Sequence, residues 1–192
     1  ALDGLARAVR QFPDLASVGV DSWAVDYGLL RGGELLGSPR HYRDPRNADA
    51  AAAVQRLVPR EELYRRNGLQ DLPFTTLFQL AADQATGLLN AADGMLMISD
   101  LLHFWLTGEA VTEQTNASTT GLLSVQNASW DLELVRRLGL PASLLPEVVL
   151  PGTELGAVQP HVADELGAQL RVIAVGTHDT ASSVAAVPAG NA

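Results

Sequence analysis

Apolar residues along the chain recur with two spacings, one of about 3.6 residues as in helices and one of short unbroken runs as in buried strands. At the start, Leu2, Leu5, Ala6 and Val9 fall on one face of a predicted helix. The run SVGV at 17–20 then predicts a short buried strand. The chain therefore opens as a helix followed by a strand.

Two later stretches have equally clear patterns. Two apolar runs within 25–39 are joined by Gly32 and Gly33, which favour the positive φ angles of a tight turn, so this stretch predicts a hairpin. Near the other end, LRVIAV at 170–175 predicts a central strand, and the small residues of 180–187 predict a helix directly after it.

The middle of the chain predicts mainly helices, with segments at 48–57, at 60–66, from about Thr75 onwards and at 130–138. The run GMLMISD at 94–100 fits either a strand or a turn of helix. Asp100 is expected to cap the helix LLHFWLTG that follows it. The stretch 112–121 is rich in Ser, Thr and Asn and is expected to be a loop.

These elements alternate between strand and helix, which is typical of an α/β domain with helical insertions. The hydrophobic share of 47% and the mean hydropathy of +0.09 are ordinary for a globular chain of 192 residues. No apolar run approaches the roughly 18 residues that a membrane span needs. The pattern predicts one domain, and the opening without Met, inside a helix, suggests a segment of a longer protein.

The charge and the missing residue types exclude several classes of function. The net charge is −9, and the 13 basic residues are all arginine, so neither nucleic acid nor an anionic membrane is an expected partner. The absence of lysine excludes Schiff-base chemistry and lysine-dependent phosphate loops from this stretch. The absence of cysteine excludes disulfides and thiolate metal sites.

The sequence Thr177-His178-Asp179-Thr180 follows a predicted strand and opens a predicted helix. Ligands of open α/β sheets tend to bind beyond the carboxyl ends of strands. A carboxylate at a helix N-terminus is held ionised by the free N–H groups there, so Asp179 is suited to accept a proton from a hydroxyl group. The alternative is that Asp179 only caps its helix.

A second predicted strand end, VGVDSWAVDYGLL at 18–30, brings Asp21, Trp23 and Asp26 together. Tryptophan offers an apolar wall to a sugar ring, and neighbouring carboxylates accept hydroxyl hydrogen bonds. The alternative is a core tryptophan beside an edge-strand aspartate, and from the residues alone this alternative is favoured.

Several stretches taken together resemble the rhamnulokinase branch of the FGGY carbohydrate kinases. They follow the order of that family and span nearly the whole chain: VGVDSWAVDYGLL, HYRDPR, YRRNGLQDLPFTTLFQL, LMISDLLHFWLTGE, TNASTTGLL, WDLELVRRLGLP, VVLPGTELG and IAVGTHDTASSVAAVPA. Each piece alone is a weak signal, and the ordered combination is specific.

The resemblance implies a lobe of the ribonuclease-H-like, actin-like ATPase class. Residues 1–192 then correspond to the N-terminal sugar-binding lobe without its N-terminal phosphate hairpin, and the C-terminal ATP lobe is the expected partner. The implied reaction is transfer of a phosphoryl group from MgATP to the 1-hydroxyl of L-rhamnulose, in the cytoplasm. The chain by itself is expected to be inactive.

The resemblance also assigns roles to single residues. Asp179 matches the family's proton acceptor, and His178 and Thr180 match its substrate-contacting neighbours. Ala24 stands where the family has a sugar-contacting glycine, which is a departure from the usual pattern. Trp23 lies in the same motif and is expected to bind substrate.

Asp21, also in that motif, is a further expected substrate-binding residue.

The departure at position 24 leaves open a kinase for another ketose or a polyol, of the L-fuculose or D-xylulose type. A non-catalytic sugar-binding module is the second alternative. An unpaired sheet edge, expected where the phosphate hairpin is missing, predicts marginal stability, partner-dependent folding or a homo-oligomer.

Overall fold

The computed structural model describes residues 1–188, which form helices around three small sheets. The helices are α1 Leu2–Gln11, α2 Arg46–Leu57, α3 Arg60–Asn67, α4 Thr76–Ala85, α5 Ile98–Thr107, α6 Gln114–Thr119, α7 Leu132–Arg137, α8 Pro160–Leu166 and α9 Asp179–Ala185. The strands are β1 Ser17–Val18, β2 Tyr27–Arg31, β3 Glu34–Leu35, β4 Gly94–Met97, β5 Val111–Glu113, β6 Glu147–Val149, β7 Thr153–Ala157 and β8 Arg171–Ala174. No helix in this part of the chain has the length and apolar character to cross a membrane.

The first sheet has the strand order β1-β8-β7. Strands β1 and β8 are parallel, with Val18 opposite Val172, whereas β7 and β8 are antiparallel. Helices α1 and α8 pack against each other and share one apolar core with this sheet. The predicted helix–strand opening and the predicted central strand at 170–175 are thereby confirmed. The expected burial of the first strand is wrong, because Ser17 is exposed and Val18 is only half-buried.

The second sheet has the order β3-β2-β4, and all its pairs are antiparallel. Gly32 and Gly33 form the turn between β2 and β3 with φ angles of 58° and 84°, so the predicted hairpin is confirmed. The larger apolar core joins this sheet to α2, α3, α4 and α7. Gly68, with φ 70°, ends α3 as a left-handed C-terminal cap.

Helix α5 lies between the sheets and contacts β2, β4, β5, β7 and β8. The stretch 94–100, which fitted either strand or helix, is both: β4 ends at Met97 and α5 begins at Ile98. The expectation that Asp100 caps this helix is wrong. Met97 occupies the cap position, and the Asp100 side chain is buried and bonded to β5 instead.

The expected loop at 112–121 is also wrong. The chain there forms the end of β5, which pairs with β6 in a parallel third sheet, and then the helix α6. The polar side chains of Thr112, Glu113, Asn116 and Thr120 are buried rather than solvated. Their hydrogen bonds are internal, so a polar composition did not mean a surface position here.

Candidate functional site

The ends of β1 and β8 continue side by side into the two segments that the sequence singled out. Beyond the parallel strands, Ser22 and His178 form a further parallel bridge. The Ser22 N–H donates to Thr177 O at 3.0 Å, and the Asp179 N–H donates to Ser22 O at 3.1 Å. Both segments therefore lie at the same carboxyl edge of one sheet, where α/β proteins bind ligands.

A cavity of about 450 Å³ opens beside these strand ends. Five of the six predicted site residues line it, namely Trp23, Ala24, His178, Asp179 and Thr180. Asp21 is exposed on the same segment but is not among the lining residues. The volume falls within the roughly 300–1,000 Å³ of small-molecule sites.

Helix α9 begins at Asp179, and the preceding His178 occupies its cap position without a capping side-chain bond. The half-buried Asp179 carboxylate accepts through Oδ1 from the Thr180 N–H at 2.6 Å and from the Thr180 hydroxyl at 3.2 Å. Within residues 1–188, Oδ2 of Asp179 has no hydrogen-bond partner. Asp179 thus binds the first turn of its helix with one oxygen and leaves the other oxygen available.

Trp23 forms a wall of the cavity rather than part of the core. Its side chain is 49% exposed, and its indole N–H donates to Oδ2 of the buried Asp26 at 2.9 Å. Burial raises the pKa of the Asp26 carboxyl, and the Trp23 hydrogen bond opposes part of this rise. The expectation of a core tryptophan is therefore wrong, because one edge of the ring is anchored and the rest of the residue is accessible.

The backbone between these two residues is strained. Val25 has a φ of 68°, and the Asp26 N–H donates to Ala24 O at 2.9 Å, as in a γ-turn. The Val25 carbonyl accepts from Thr76 Oγ1 at 2.8 Å and from Gln79 Nε2 at 3.0 Å. These two buried donors hold the turn in place.

Sequence reasoning missed a fully buried carboxylate, that of Glu113, which lies behind the segment that follows β8. Glu113 accepts through Oε2 from the Thr177 N–H at 2.9 Å and from the Thr177 hydroxyl at 3.0 Å. Nine residues from Thr112 to Thr120 contain no Gly or Pro, and this was the available signal that the stretch is not a loop.

Helix α5 supports the same region with two ionisable groups. Asp100 accepts from the Thr112 hydroxyl at 2.5 Å and from the Glu113 N–H at 3.2 Å, and burial raises the pKa of Asp100 to about 7. His103 accepts the Val20 N–H through Nε2 at 3.0 Å, and burial lowers the pKa of His103 to about 4. A neutral imidazole therefore binds the backbone just beyond the end of β1.

Two features that often hold metal ions and nucleotides are absent from the part of the chain that the structure describes. Among residues 1–188, no group of three or more His, Asp and Glu side chains is arranged to hold a metal ion. The sequence contains no glycine-rich phosphate loop with lysine.

Comparison with known families agrees with this geometry. The profile of the FGGY family of carbohydrate kinases, N-terminal domain, matches residues 29–186. The chain belongs to the FGGY family of carbohydrate kinases. Among FGGY relatives, it is 46% identical over 175 residues to a rhamnulokinase of Pectobacterium carotovorum subsp. carotovorum (strain PC1), covering 90% of this chain and 34% of that protein.

A rhamnulokinase of Yersinia pestis bv. Antiqua (strain Angola) is 42% identical over 189 residues, covering 97% of this chain and 38% of the relative. The chain thus spans little more than a third of the length of the curated FGGY relatives that it matches. The resemblance to rhamnulokinases inferred from the sequence is confirmed.

Solved structures of sugar kinases share the fold. A xylulose kinase from Lactobacillus acidophilus superposes with a TM-score of 0.83 at 20% identity, covering 91% of this chain and 37% of that one. Glycerol kinase from Plasmodium falciparum gives a TM-score of 0.71 at 18% identity, covering 90% and 38%. These likenesses confirm the predicted α/β lobe of the ribonuclease-H-like, actin-like ATPase class.

Proposed function

We propose that this chain is the sugar-binding lobe, residues 1–192, of a kinase that phosphorylates L-rhamnulose at its 1-hydroxyl, with Asp179 as the general base. The observation that carries the proposal is the meeting of two strand ends at one cavity, with Asp179 on one strand end and the exposed Trp23 on the other. The relatives named rhamnulokinases support the choice of sugar.

The geometry supports a division of labour within the cavity. Trp23 offers an apolar face against which a sugar ring or chain packs, with its orientation fixed by Asp26. His178 and Thr180 flank Asp179 and supply polar contacts to the sugar hydroxyls. Together these residues would orient one hydroxyl toward the carboxylate, and such orientation is a large part of catalysis in phosphoryl transfer.

Asp179 would act on the proton of that hydroxyl. Its Oδ1 is bonded to Thr180, so Oδ2 is the atom available to take the proton as the hydroxyl oxygen becomes the nucleophile. The half-buried position and the two hydrogen bonds to Oδ1 both favour a fixed carboxylate. Phosphoryl transfer asks little more of the acceptor side, because its transition state is loose.

The phosphoryl donor, MgATP, belongs to another part of the protein in this proposal. The chain spans only 34% and 38% of the two rhamnulokinase relatives, which supports a C-terminal ATP-binding lobe as the partner of this lobe. We therefore expect the 192-residue chain to bind a ketose without turning over ATP. Use of ATP in sugar metabolism places such a kinase in the cytoplasm.

One observation favours a second substrate. Ala24 lines the cavity where the family pattern has glycine, so this chain carries an additional methyl group at a lining position. A kinase for another ketose or polyol, of the L-fuculose or D-xylulose type, remains the alternative function.

The decisive test is Asp179→Asn in a protein of full family length. Loss of the base is expected to lower kcat by roughly 10²–10⁴-fold while the KM for the sugar changes little, since general-base catalysis contributes about that factor. Asp164→Asn, which neutralises an exposed aspartate on α8, is the matched control and should leave kcat unchanged. A kcat within a few-fold of wild type in Asp179→Asn would overturn the assignment.

A calorimetric titration of the 192-residue chain with L-rhamnulose, L-fuculose and D-xylulose separates the remaining alternatives. Tightest binding of L-rhamnulose supports the proposal, and tighter binding of another ketose supports the second substrate. Sugar binding by a full-length protein that never consumes ATP would identify a non-catalytic sugar-binding module.

A further inference from the structure

We propose that Glu113 is a positioning residue that fixes the segment carrying His178 and Asp179, acting through Thr177 and Thr115. The inference rests on the proposed function, because it assigns a role in the same site. Glu113 itself does not line the cavity, so it would act through the backbone rather than on the sugar.

The first step is the set of hydrogen bonds that Glu113 accepts. Its side chain has no solvent exposure. Oε2 accepts from the backbone N–H and the hydroxyl of Thr177, at 2.9 and 3.0 Å, and Oε1 accepts from the Thr115 N–H at 2.8 Å. The Thr115 hydroxyl also donates to Oε2. One carboxylate thus accepts from four donors, two on the neighbouring Thr115 and two on Thr177, 64 residues away along the chain.

The second step is the link to the next residue. Thr115 Oγ1, while it donates to Glu113, accepts the backbone N–H of His178 at 3.2 Å. Glu113 and Thr115 therefore bind the two consecutive N–H groups that precede Asp179. The opposite side of this segment is bonded to Ser22, through Thr177 O and the Asp179 N–H.

The third step is the rigidity of Glu113 itself. Glu113 pairs with Val149 in the parallel β5–β6 sheet, and its backbone N–H donates to Asp100 on α5. The Asp100 carboxyl also accepts the Thr112 hydroxyl. Glu113 is therefore fixed by a strand and a helix, which suits a residue that must hold another segment in place.

The fourth step is what a buried carboxylate costs. Among the described residues no arginine or histidine lies within salt-bridge distance of Glu113, so neutral donors alone balance its burial. Burying a carboxylate without a cation is unfavourable unless its oxygens are hydrogen-bonded. The two donors on Thr115 belong to the first turn of α6, which Glu113 caps. The two donors on Thr177 belong to the segment that ends at the cavity, and these bonds point to positioning of Asp179.

The test compares Glu113→Gln and Thr115→Val with Thr115→Ser in a full-length protein. Glutamine keeps the shape of Glu113 but turns one acceptor oxygen into a donor, so at least one bond to Thr177 or Thr115 is lost. Valine removes the Thr115 hydroxyl at constant shape, and serine keeps it. Glu147→Gln, on an exposed carboxylate of the adjacent strand β6, controls for the change in charge.

We expect Glu113→Gln to lower kcat by roughly 10²-fold, the cost of a misplacement of about 1 Å, with the KM for MgATP unchanged. Thr115→Val should lower kcat by roughly tenfold, whereas Thr115→Ser and Glu147→Gln should keep wild-type values. A merely structural role would reduce the amount of folded protein and leave kcat per folded molecule unchanged. That outcome, in either Glu113→Gln or the Thr115 pair, would overturn the inference.

Amide hydrogen exchange separates failure of this inference from failure of the proposed function. The N–H groups of Thr177 and His178 should exchange faster in Glu113→Gln than in wild type, with the N–H groups of β4 unchanged. If the wild-type protein phosphorylates no sugar, the proposed function fails, and exchange alone then decides whether Glu113 holds the segment. Unchanged exchange at Thr177 and His178 would overturn the positioning role. If Glu113→Gln does not fold, the Thr115 pair carries the same test.

Discussion

The left-handed φ of 68° at Val25 is the clearest sign of backbone strain beside the cavity. A β-branched residue in this region is a real outlier, and such strain costs on the order of 1–3 kcal/mol. Thr76 and Gln79 bind the Val25 carbonyl and keep the turn. The turn separates Trp23 and Ala24, which face the cavity, from Asp26, which is buried. Strain at this position supports a binding role for the segment.

Ala24→Gly tests whether the departure from the family glycine sets the size of the cavity. Within residues 1–188, Ala24 is not among the residues with positive φ, so the backbone there does not require glycine, and Ala24 is one of the residues that line the cavity. Removing the methyl group should widen the cavity and change the binding constants of bulkier ketoses by roughly 10-fold or more, the scale of one methyl-sized group. Calorimetric titration of wild type and Ala24→Gly with the three ketoses measures this.

Ala110→Gly is the matched control, since Ala110 is exposed, lies outside the cavity and, like Ala24, is not among the described residues with positive φ. It should bind all three sugars as wild type does. Equal affinities of wild type and Ala24→Gly for every ketose would show that the methyl group does not limit the site.

At this scale the sequence identified five of the fourteen residues that line the cavity and missed the carboxylate that supports it. Strand-end position pointed to Asp179 and its neighbours, and the family resemblance added Ala24. Glu113 has no such signal, because its partner Thr177 is 64 residues away along the chain. The exposed position of Trp23 at the cavity depends on the buried Asp26, and the residues alone favoured a core tryptophan instead.

At the scale of elements, α5 binds β5 and the segment after β1 through side chains one turn apart. Asp100 bonds to β5, and His103 bonds to Val20, two residues after the end of β1. Spacing of three residues places both on one side of the helix. Burial is the main cause of both pKa shifts, and the charge of Glu113 contributes to raising the pKa of each.

Asp100 and His103 should have opposite effects on how the free energy of unfolding changes with pH. The pKa of Asp100 is raised from 3.8 to about 7, so the folded chain keeps a proton that the unfolded chain loses, and the free energy of unfolding falls as pH rises through this window. The pKa of His103 is lowered from 6.5 to about 4, so the free energy of unfolding rises with pH there. Their slopes, each about 1.4 kcal/mol per pH unit at most, should nearly cancel between about pH 5 and pH 6.5.

Urea unfolding of three variants across that window checks the cancellation. Asp100→Asn leaves the His103 slope, so stability should rise with pH relative to wild type. His103→Gln keeps an acceptor for the Val20 N–H and leaves the Asp100 slope, so stability should fall with pH. The double variant should follow wild type. Parallel curves for all four proteins would contradict the pKa shifts.

The elements themselves were predictable where apolar periodicity was strong, as in α1, β8 and the β2–β3 hairpin. The stretch 112–121 failed because its helix and strand are short and bury polar side chains, which removes the apolar pattern. Tertiary hydrogen bonds replace hydrophobic contact there. A single sequence carries little signal for such pairing, since each partner lies in another element.

At the scale of the whole molecule, one sheet edge and one groove stand out. Among residues 1–188, β1 pairs with β8 on one side only. Beside it lies a groove of about 930 Å³ whose lining includes Leu5, Val18, Val20 and Trp105. An unpaired strand next to an apolar groove favours strand addition from another chain.

We therefore predict that the 192-residue chain, studied by itself, forms dimers in which a second copy pairs at β1 and covers the groove. The net charge of −9 opposes association of two copies, so salt should strengthen the dimer. Sedimentation over a range of protein concentrations at low and high salt measures this.

Two variants place the contact. Ser17→Lys puts on β1 the side chain that natural edge strands use against pairing, and Trp105→Lys puts a charge in the groove. Both should restore the monomer at high salt. Val184→Lys, an exposed position on α9 with the same change in charge as these two, should dimerise like wild type. A wild-type chain that stays monomeric at every salt and concentration, with a sharp thermal transition, would show that the β1 edge needs no partner. Dimers insensitive to Ser17→Lys and Trp105→Lys would place the contact on another face.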